Sequence, residues 1–287
     1  MHVTIRDVAQ AAGVHVSTVS RALNPAKRNL ISDEVLQVVE AAAQRLGYRP
    51  NRAASALRTG RTHTIGVLVP DITNPVFPPI LQGIEASAAA RGYFVFVANV
   101  ADPVLARPIV ERMQAQQVDG LINAIALRDD PLIDQLGRTG VHTVLVNRAD
   151  ESGRLPAVVS DDRLAMKLAV EHLVSLGHRR IAHLAGPQHV PTGVGRRQGF
   201  EQALRDHGLT PTQVVECDSY SREAGRVAVR KLLDAPGKRA QALVCCNDLV
   251  ALGAYDELRS QGLRVPQDMS VTGHNDMPLV DMVEPPL

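Results

Sequence analysis

Near the N-terminus, apolar residues recur at helical spacing. Ile5, Val8, Ala9 and Ala12 fall at i, i+3, i+4 and i+7, which predicts one apolar helix face. Thr4 stands as its cap, with Asp7 as an acidic partner three residues on. Gly13 supplies a turn. Val19, Ala22 and Leu23 then give a second short helix its buried side, leaving Val16, Ser17, Thr18, Ser20 and Arg21 facing outward. Ser32 reads as the cap of a third helix, whose stripe is Val35, Val38, Val39, Ala42 and Leu46 and whose end is Gly47. Residues 48–61 differ: Pro50 opens a short alanine-rich stretch that Gly60 closes, too short to be a stable helix alone.

From residue 64 the rhythm becomes alternating apolar strands and helices. Strands are expected at 64–69, 94–98, 120–124, 143–146, 181–185, 214–217, 242–246 and 270–273. Helices are expected near 76–91, 105–116, from 131, and at 162–176, 195–207, 222–233 and 249–261. Such alternation implies parallel, doubly wound sheets, and two successive series imply two lobes. Ligands in these folds sit outside the carboxyl ends of the strands.

Charge sharpens the picture. The whole chain carries a net charge of +1, but residues 1–62 hold nine Lys and Arg against four Asp and Glu. A basic head on an acidic body suits a polyanionic partner for the head alone. The head also carries two short helices joined at a glycine, the helix-turn-helix arrangement that enters the DNA major groove. Small polar residues and one arginine suit a helix that must approach base edges, where arginine bonds guanine in bidentate fashion. Three cysteines make no disulfide framework, and the adjacent Cys245 and Cys246 read as small core residues. No apolar run is long enough to span a membrane and no signal-peptide pattern opens the chain, so a cytoplasmic location is expected.

The string Thr4-Ile5-x-Asp7-Val8-Ala9, followed by Ala12-Gly13-Val14, Thr18-Val19-Ser20-Arg21 and Leu23-Asn24, resembles the headpiece of the lactose-repressor (LacI/GalR) family of bacterial transcription regulators. The run Leu46-Gly47-Tyr48-Arg49-Pro50-Asn51-Arg52-Ala53-Ala54, with Leu57-Arg58, matches the same family, and the similarity continues to the end of the chain. The resemblance implies an all-α helix-turn-helix headpiece at 1–47, a hinge helix or linker at 48–61, and an α/β periplasmic-binding-protein-like body. Its doubly wound lobes would lie at 62–160 and 161–287. Family members continue past the point matching Leu287, so the second lobe is expected to be incomplete.

By the same resemblance, Val16, Ser17 and Arg21 take base-reading positions. Thr4, Thr18, Ser20, Asn24 and Asn51 are candidates for phosphate contact, as is His15. Hinge helices would pair in the minor groove, with Leu57 as an apolar wedge, Ala54 small enough for close approach and Arg58 beside them. His15 departs from the family's usual serine; histidine is a poor cap, which predicts a poorly defined start to the second helix. Small-effector contacts are implied at Phe77, Asn147, Thr192, Arg196, Tyr220, Asn247 and Asn275, with Phe77 and Tyr220 placed to sandwich a ring. Where this chain has Asn147 and Asn275 the family often has aspartate, which tilts the cleft toward anionic effectors.

The implied protein is a homodimeric, metabolite-responsive repressor on a near-palindromic double-stranded operator. Its effector is a sugar, sugar acid, sugar phosphate or purine; it has no enzymatic activity, no resident cofactor, no metal and no membrane partner. The alternative, a periplasmic-type sugar-binding protein, shares the two-lobed body but requires a signal peptide and has no headpiece. The glycine-rich run 193–199 fails as a dinucleotide fingerprint, because its third glycine is one residue late and it stands away from the preceding strand. His172, His178, His183 and His189 lack metal-ligand spacing and are expected at the surface or in the core.

Overall fold

The computed structural model describes residues 3–49 and 60–287, so Asn51, Ala54, Leu57 and Arg58 lie outside the described residues. The chain divides into two compact units, Met1–Thr62 and His63–Leu287.

The first unit contains α1 (Ile5–Ala12), α2 (Val16–Ala22) and α3 (Asp33–Leu46) around Val8, Ala9, Val19, Ala22, Val39, Ala42 and Ala43. Asp7 accepts from the Thr4 N–H at 2.7 Å and the Thr4 hydroxyl at 2.8 Å, which closes the start of α1 and lowers the Asp7 pKa. Gly13 ends α1 at φ +66°, where a side chain would be strained. Two details of α3 differ from expectation. Ser32 holds the cap position, but its hydroxyl makes no capping bond. Val38 is 50% exposed while Ala43 is buried, because the inward face is centred toward Ala43 and Val38 falls at its margin.

The second unit holds two sheets. In the first, β1 (Thr64–Val69), β2 (Phe94–Asn99), β3 (Gly120–Asn123), β4 (Thr143–Val146) and β5 (Ala157–Val158) run in the order β2-β1-β3-β4-β5, all pairs parallel. The second contains β6 (Ile181–Ala185), β7 (Val214–Glu216), β8 (Ala242–Cys245) and β9 (Ser270–Thr272) in the order β7-β6-β8-β9, again parallel. In each sheet the order of strand addition reverses at the first strand, and at such a switch point the loops diverge and leave a crevice.

Helices α4 (Phe77–Ala89), α5 (Ala106–Ala115) and α6 (Pro131–Thr139) belong to the first series. α7 (Asp162–Ser175), α8 (Pro191–Asp206), α9 (Arg222–Asp234) and α10 (Asp248–Ser260) belong to the second. β6 and β8 are buried along their length, as expected of parallel strands covered on both faces. β5 was not foreseen; at two residues it is too short to carry a periodic signal. α8 starts at Pro191, not near residue 195, because proline at the first helical position suits the turn it occupies. The glycine run therefore lies inside α8. There Gly199 allows close packing on α7: a Cβ would stand 2.7 Å from the Arg163 Cα.

Candidate functional site

In the first unit, α2 presents Ser17 and Arg21 exposed, with Thr18, Ser20 and Asn24 half-buried and Thr4 exposed at the head of α1. Val16, expected to face outward, is half-buried and packs in part on the three-helix core. The start of α2 is also better defined than a histidine cap implies. His15 Nδ1 accepts from the Ser17 N–H at 3.2 Å, and the Ser17 hydroxyl lies 2.8 Å from the same nitrogen. An imidazole nitrogen thus does the work of the usual hydroxyl, and Ser17 is tied to it.

In the second unit, a cleft of about 710 Å³ opens at the carboxyl ends of the strands of both sheets. All seven residues expected around a small ligand line it: Phe77, Asn147, Thr192, Arg196, Tyr220, Asn247 and Asn275. Topology explains their convergence. Asn147, Tyr220, Asn247 and Asn275 follow β4, β7, β8 and β9, while Phe77 begins α4 and Thr192 and Arg196 occupy the first turns of α8.

Arg196 is the hub. It is 5% exposed; its Nε donates to Asp162 Oδ1 at 2.8 Å and its Nη1 to the Cys246 carbonyl at 2.7 Å. Its guanidinium lies 5.7 Å from the centre of the Tyr220 ring. Burial raises the Asp162 pKa while Arg196 pulls it back. The Tyr220 hydroxyl lies 2.7 Å from Thr192 Oγ1, and burial pushes the phenol up to about 12, so it stays protonated. Asn247 caps α10, its Oδ1 accepting from the Val250 N–H at 2.9 Å. His274 faces Asp162 at 3.7 Å; burial first, then the nearby Arg196, lowers its pKa to about 4, so it is neutral. Phe77 is 2% exposed and packed with Val67, Val69 and Ala124, so it serves as wall and not as an open stacking face.

Two residues outside the expected set bear on this cleft, one lining it and one behind it. Asp162 anchors Arg196, and Arg148, directly after Asn147, lines the cleft at 8% exposure. The signal available for Arg148 was an arginine immediately beyond an apolar strand, at the edge where ligands collect. Cys217, Cys245 and Cys246 are all buried, and none is in a disulfide. His183 is fully buried, stacked on Phe200 with ring centres 4.7 Å apart, and bonded through Nδ1 to the Val244 carbonyl at 2.7 Å. Among the described residues no cluster of His, Cys, Asp and Glu is arranged to hold a metal ion, and no helix is long and apolar enough to cross a membrane.

Comparisons with known proteins cover the whole chain. Residues 4–51 match the family described as bacterial regulatory proteins, lacI family. Residues 62–285 match periplasmic binding proteins and the sugar binding domain of the LacI family. The HTH-type transcriptional repressor CytR of Escherichia coli (strain K12) is 36% identical over 288 residues, spanning 99% of this chain and 83% of that protein. The ribose operon repressor of the same strain is 33% identical over 287 residues, spanning 99% of this chain and 86% of that protein. Among solved structures, the lac repressor dimer bound to operator and the anti-inducer ONPF aligns with a TM-score of 0.88 and 31% identity. That alignment covers 100% of this chain and 86% of the repressor chain.

Proposed function

This chain belongs to the LacI family of bacterial regulatory proteins, and from that premise we propose that it is a repressor which binds a near-palindromic operator as a homodimer and answers to a small metabolite. One observation carries the reading: a single chain joins a three-helix unit with an exposed Arg21 to a body whose two sheets direct buried polar side chains into one cleft. A periplasmic-type binding protein accounts for the second feature alone. The relatives are repressors, not enzymes.

In this reading Val16, Ser17 and Arg21 read base edges, with Val16 also packing on the core of the three-helix unit. Thr4, His15, Thr18, Ser20 and Asn24 position the unit on phosphates. Asn51, Ala54, Leu57 and Arg58 form a hinge whose Leu57 wedges into the minor groove. The effector is a sugar, sugar acid, sugar phosphate or purine held in the cytoplasm. It regulates only by binding two lobe arrangements with unequal affinity.

The test is footprinting of the purified protein on DNA upstream of its own and neighbouring genes, repeated with a metabolite panel. A protected near-palindrome that one metabolite abolishes or strengthens supports the reading; a folded dimer that protects no site overturns it. Arg21→Ala costs about 1–3 kcal/mol at one operator position and relaxes preference there. Equal weakening on random DNA removes Arg21 from the base-reading set.

A further inference from the structure

Arg148 is a buried cation without a counter-charge. Its Nη1 reaches the Ala126 carbonyl at 3.4 Å, at the outer edge of hydrogen bonding, and its Nε is buried with no partner. No carboxylate among the described residues pairs with it. Burial lowers its pKa, and the field of a second cation, Arg196, whose own charge is met by Asp162, lowers it further. Three acids line the cleft, Asp71, Asp130 and Asp218, and none forms an ion pair with Arg148; each accepts hydrogen bonds within its own segment, Asp218 from the Ser219 hydroxyl at 2.9 Å. Asp130 accepts the Leu127 and Leu132 N–H groups at the head of α6, and Asp71 accepts from Thr73. Arginine does not relieve such a site by losing its proton, so an unpaired buried guanidinium is a standing cost to the folded protein. A group of that kind, aimed into a cleft of ligand size, points to a partner that arrives from outside.

We propose that the effector is an anion whose carboxylate or phosphate seats against Arg148, with the rest of the molecule lying toward Tyr220. The inference rests on the reading of the cleft as the effector site and adds to it the charge class of the occupant. Arg148 accepts the charge; Arg196, held by Asp162, keeps a second cation close by without being free to move. The shared chemistry is an oxyanion, which a sugar acid and a sugar phosphate both supply.

The experiment is calorimetric titration of the full chain, without DNA, using matched sets. These are ribose, ribonate and ribose 5-phosphate; glucose, gluconate and glucose 6-phosphate; inosine and inosine monophosphate. An anionic member binds at least about 10-fold more tightly than its neutral parent, the scale of one charge-assisted hydrogen bond. The carboxylate and phosphate arms tell the two sources apart. Arg148→Gln abolishes the preference, and Arg148→Lys recovers part of it. The ligand-free Arg148→Gln protein melts no lower than wild type, which a purely structural arginine would not allow. Three results each overturn the inference: a neutral parent binding as tightly as its anion, a preference that survives Arg148→Gln, or no anion binding at millimolar concentration. An anion that binds through Arg148 yet leaves operator protection unchanged upholds the inference and sinks the regulatory reading instead.

Discussion

Two arginines face the same cleft from opposite lobes in opposite states. Arg196, on the second lobe, is bonded to Asp162 and to the Cys246 carbonyl, and its neighbours are equally committed: Tyr220 to Thr192, Asn247 to the first turn of α10. Arg148, on the first lobe, has one long hydrogen bond and no carboxylate partner among the described residues. Asn147 beside it is held by its backbone, its N–H donating to the Val158 carbonyl at 2.9 Å. One wall is thus assembled before any ligand arrives, rooted in the fully buried strands β6 and β8. The other carries Arg148, whose Nε has no partner. A site needs both: fixed groups set geometry at little cost on binding, and unsatisfied groups gain most when the ligand comes, at the expense of stability beforehand.

The contrast breaks most severely at Arg196. Arg196→Met strips the half-buried Asp162 of its guanidinium, leaving only His274 at 3.7 Å, and the protein should lose about 3 kcal/mol, the low end for a broken buried pair, in urea unfolding at neutral pH. Burial already raises the Asp162 pKa, and removing Arg196 raises it further. The folded variant then binds more protons than the unfolded chain, so its deficit relative to wild type shrinks as pH falls. A loss below about 1 kcal/mol would show that this ion pair does not hold the second wall.

A smaller effect comes from beneath that wall. His183 has its pKa lowered from 6.5 to about 4, chiefly by burial, so the folded protein excludes a proton that the unfolded chain accepts. Its contribution is fully present above pH 6.5 and is lost as pH falls from there through about 4. The loss amounts to roughly 3 kcal/mol when complete. His274 slopes the same way from its own value of about 4. His183→Leu should flatten part of the decline in thermal unfolding between neutral pH and pH 5, leaving the share due to His274. An unchanged slope would mean that His183 takes up its proton in the fold.

Much of this arrangement was legible in the sequence because parallel strands covered on both faces are continuous apolar runs. β1, β6 and β8 stand out for that reason, and the residues just beyond strands converge by topology alone. Thr192, Tyr220 and Asn247 are named from the family resemblance, and the topology agrees with it by bringing the loops after the strands together. What stayed hidden depends on partners distant in sequence. Nothing near Arg148 announces that it lacks a carboxylate, and nothing near Arg196 announces Asp162, 34 residues away. Local exceptions were hidden too. Pro191 reads as loop punctuation yet starts α8, and His15 reads as a poor cap yet makes the capping bond.

The finest distinction concerns Asn147, which stands on the uncommitted wall for one of two reasons. Its φ of +64° lies in the left-handed region, which asparagine tolerates better than most residues, so the backbone alone accounts for its presence. Its place on the cleft accounts for it equally well. Glycine separates the two, because it adopts that φ without strain and has no carboxamide. Asn147→Gly should keep stability within about 0.5 kcal/mol of wild type, whereas Asn147→Ala should cost about 1–2 kcal/mol from the left-handed backbone. If the glycine variant unfolds like wild type but binds the effector more weakly, the carboxamide touches ligand and the first lobe offers two open groups. If its affinity is unchanged, asparagine is there for the turn after β4, and Arg148 alone separates the two walls.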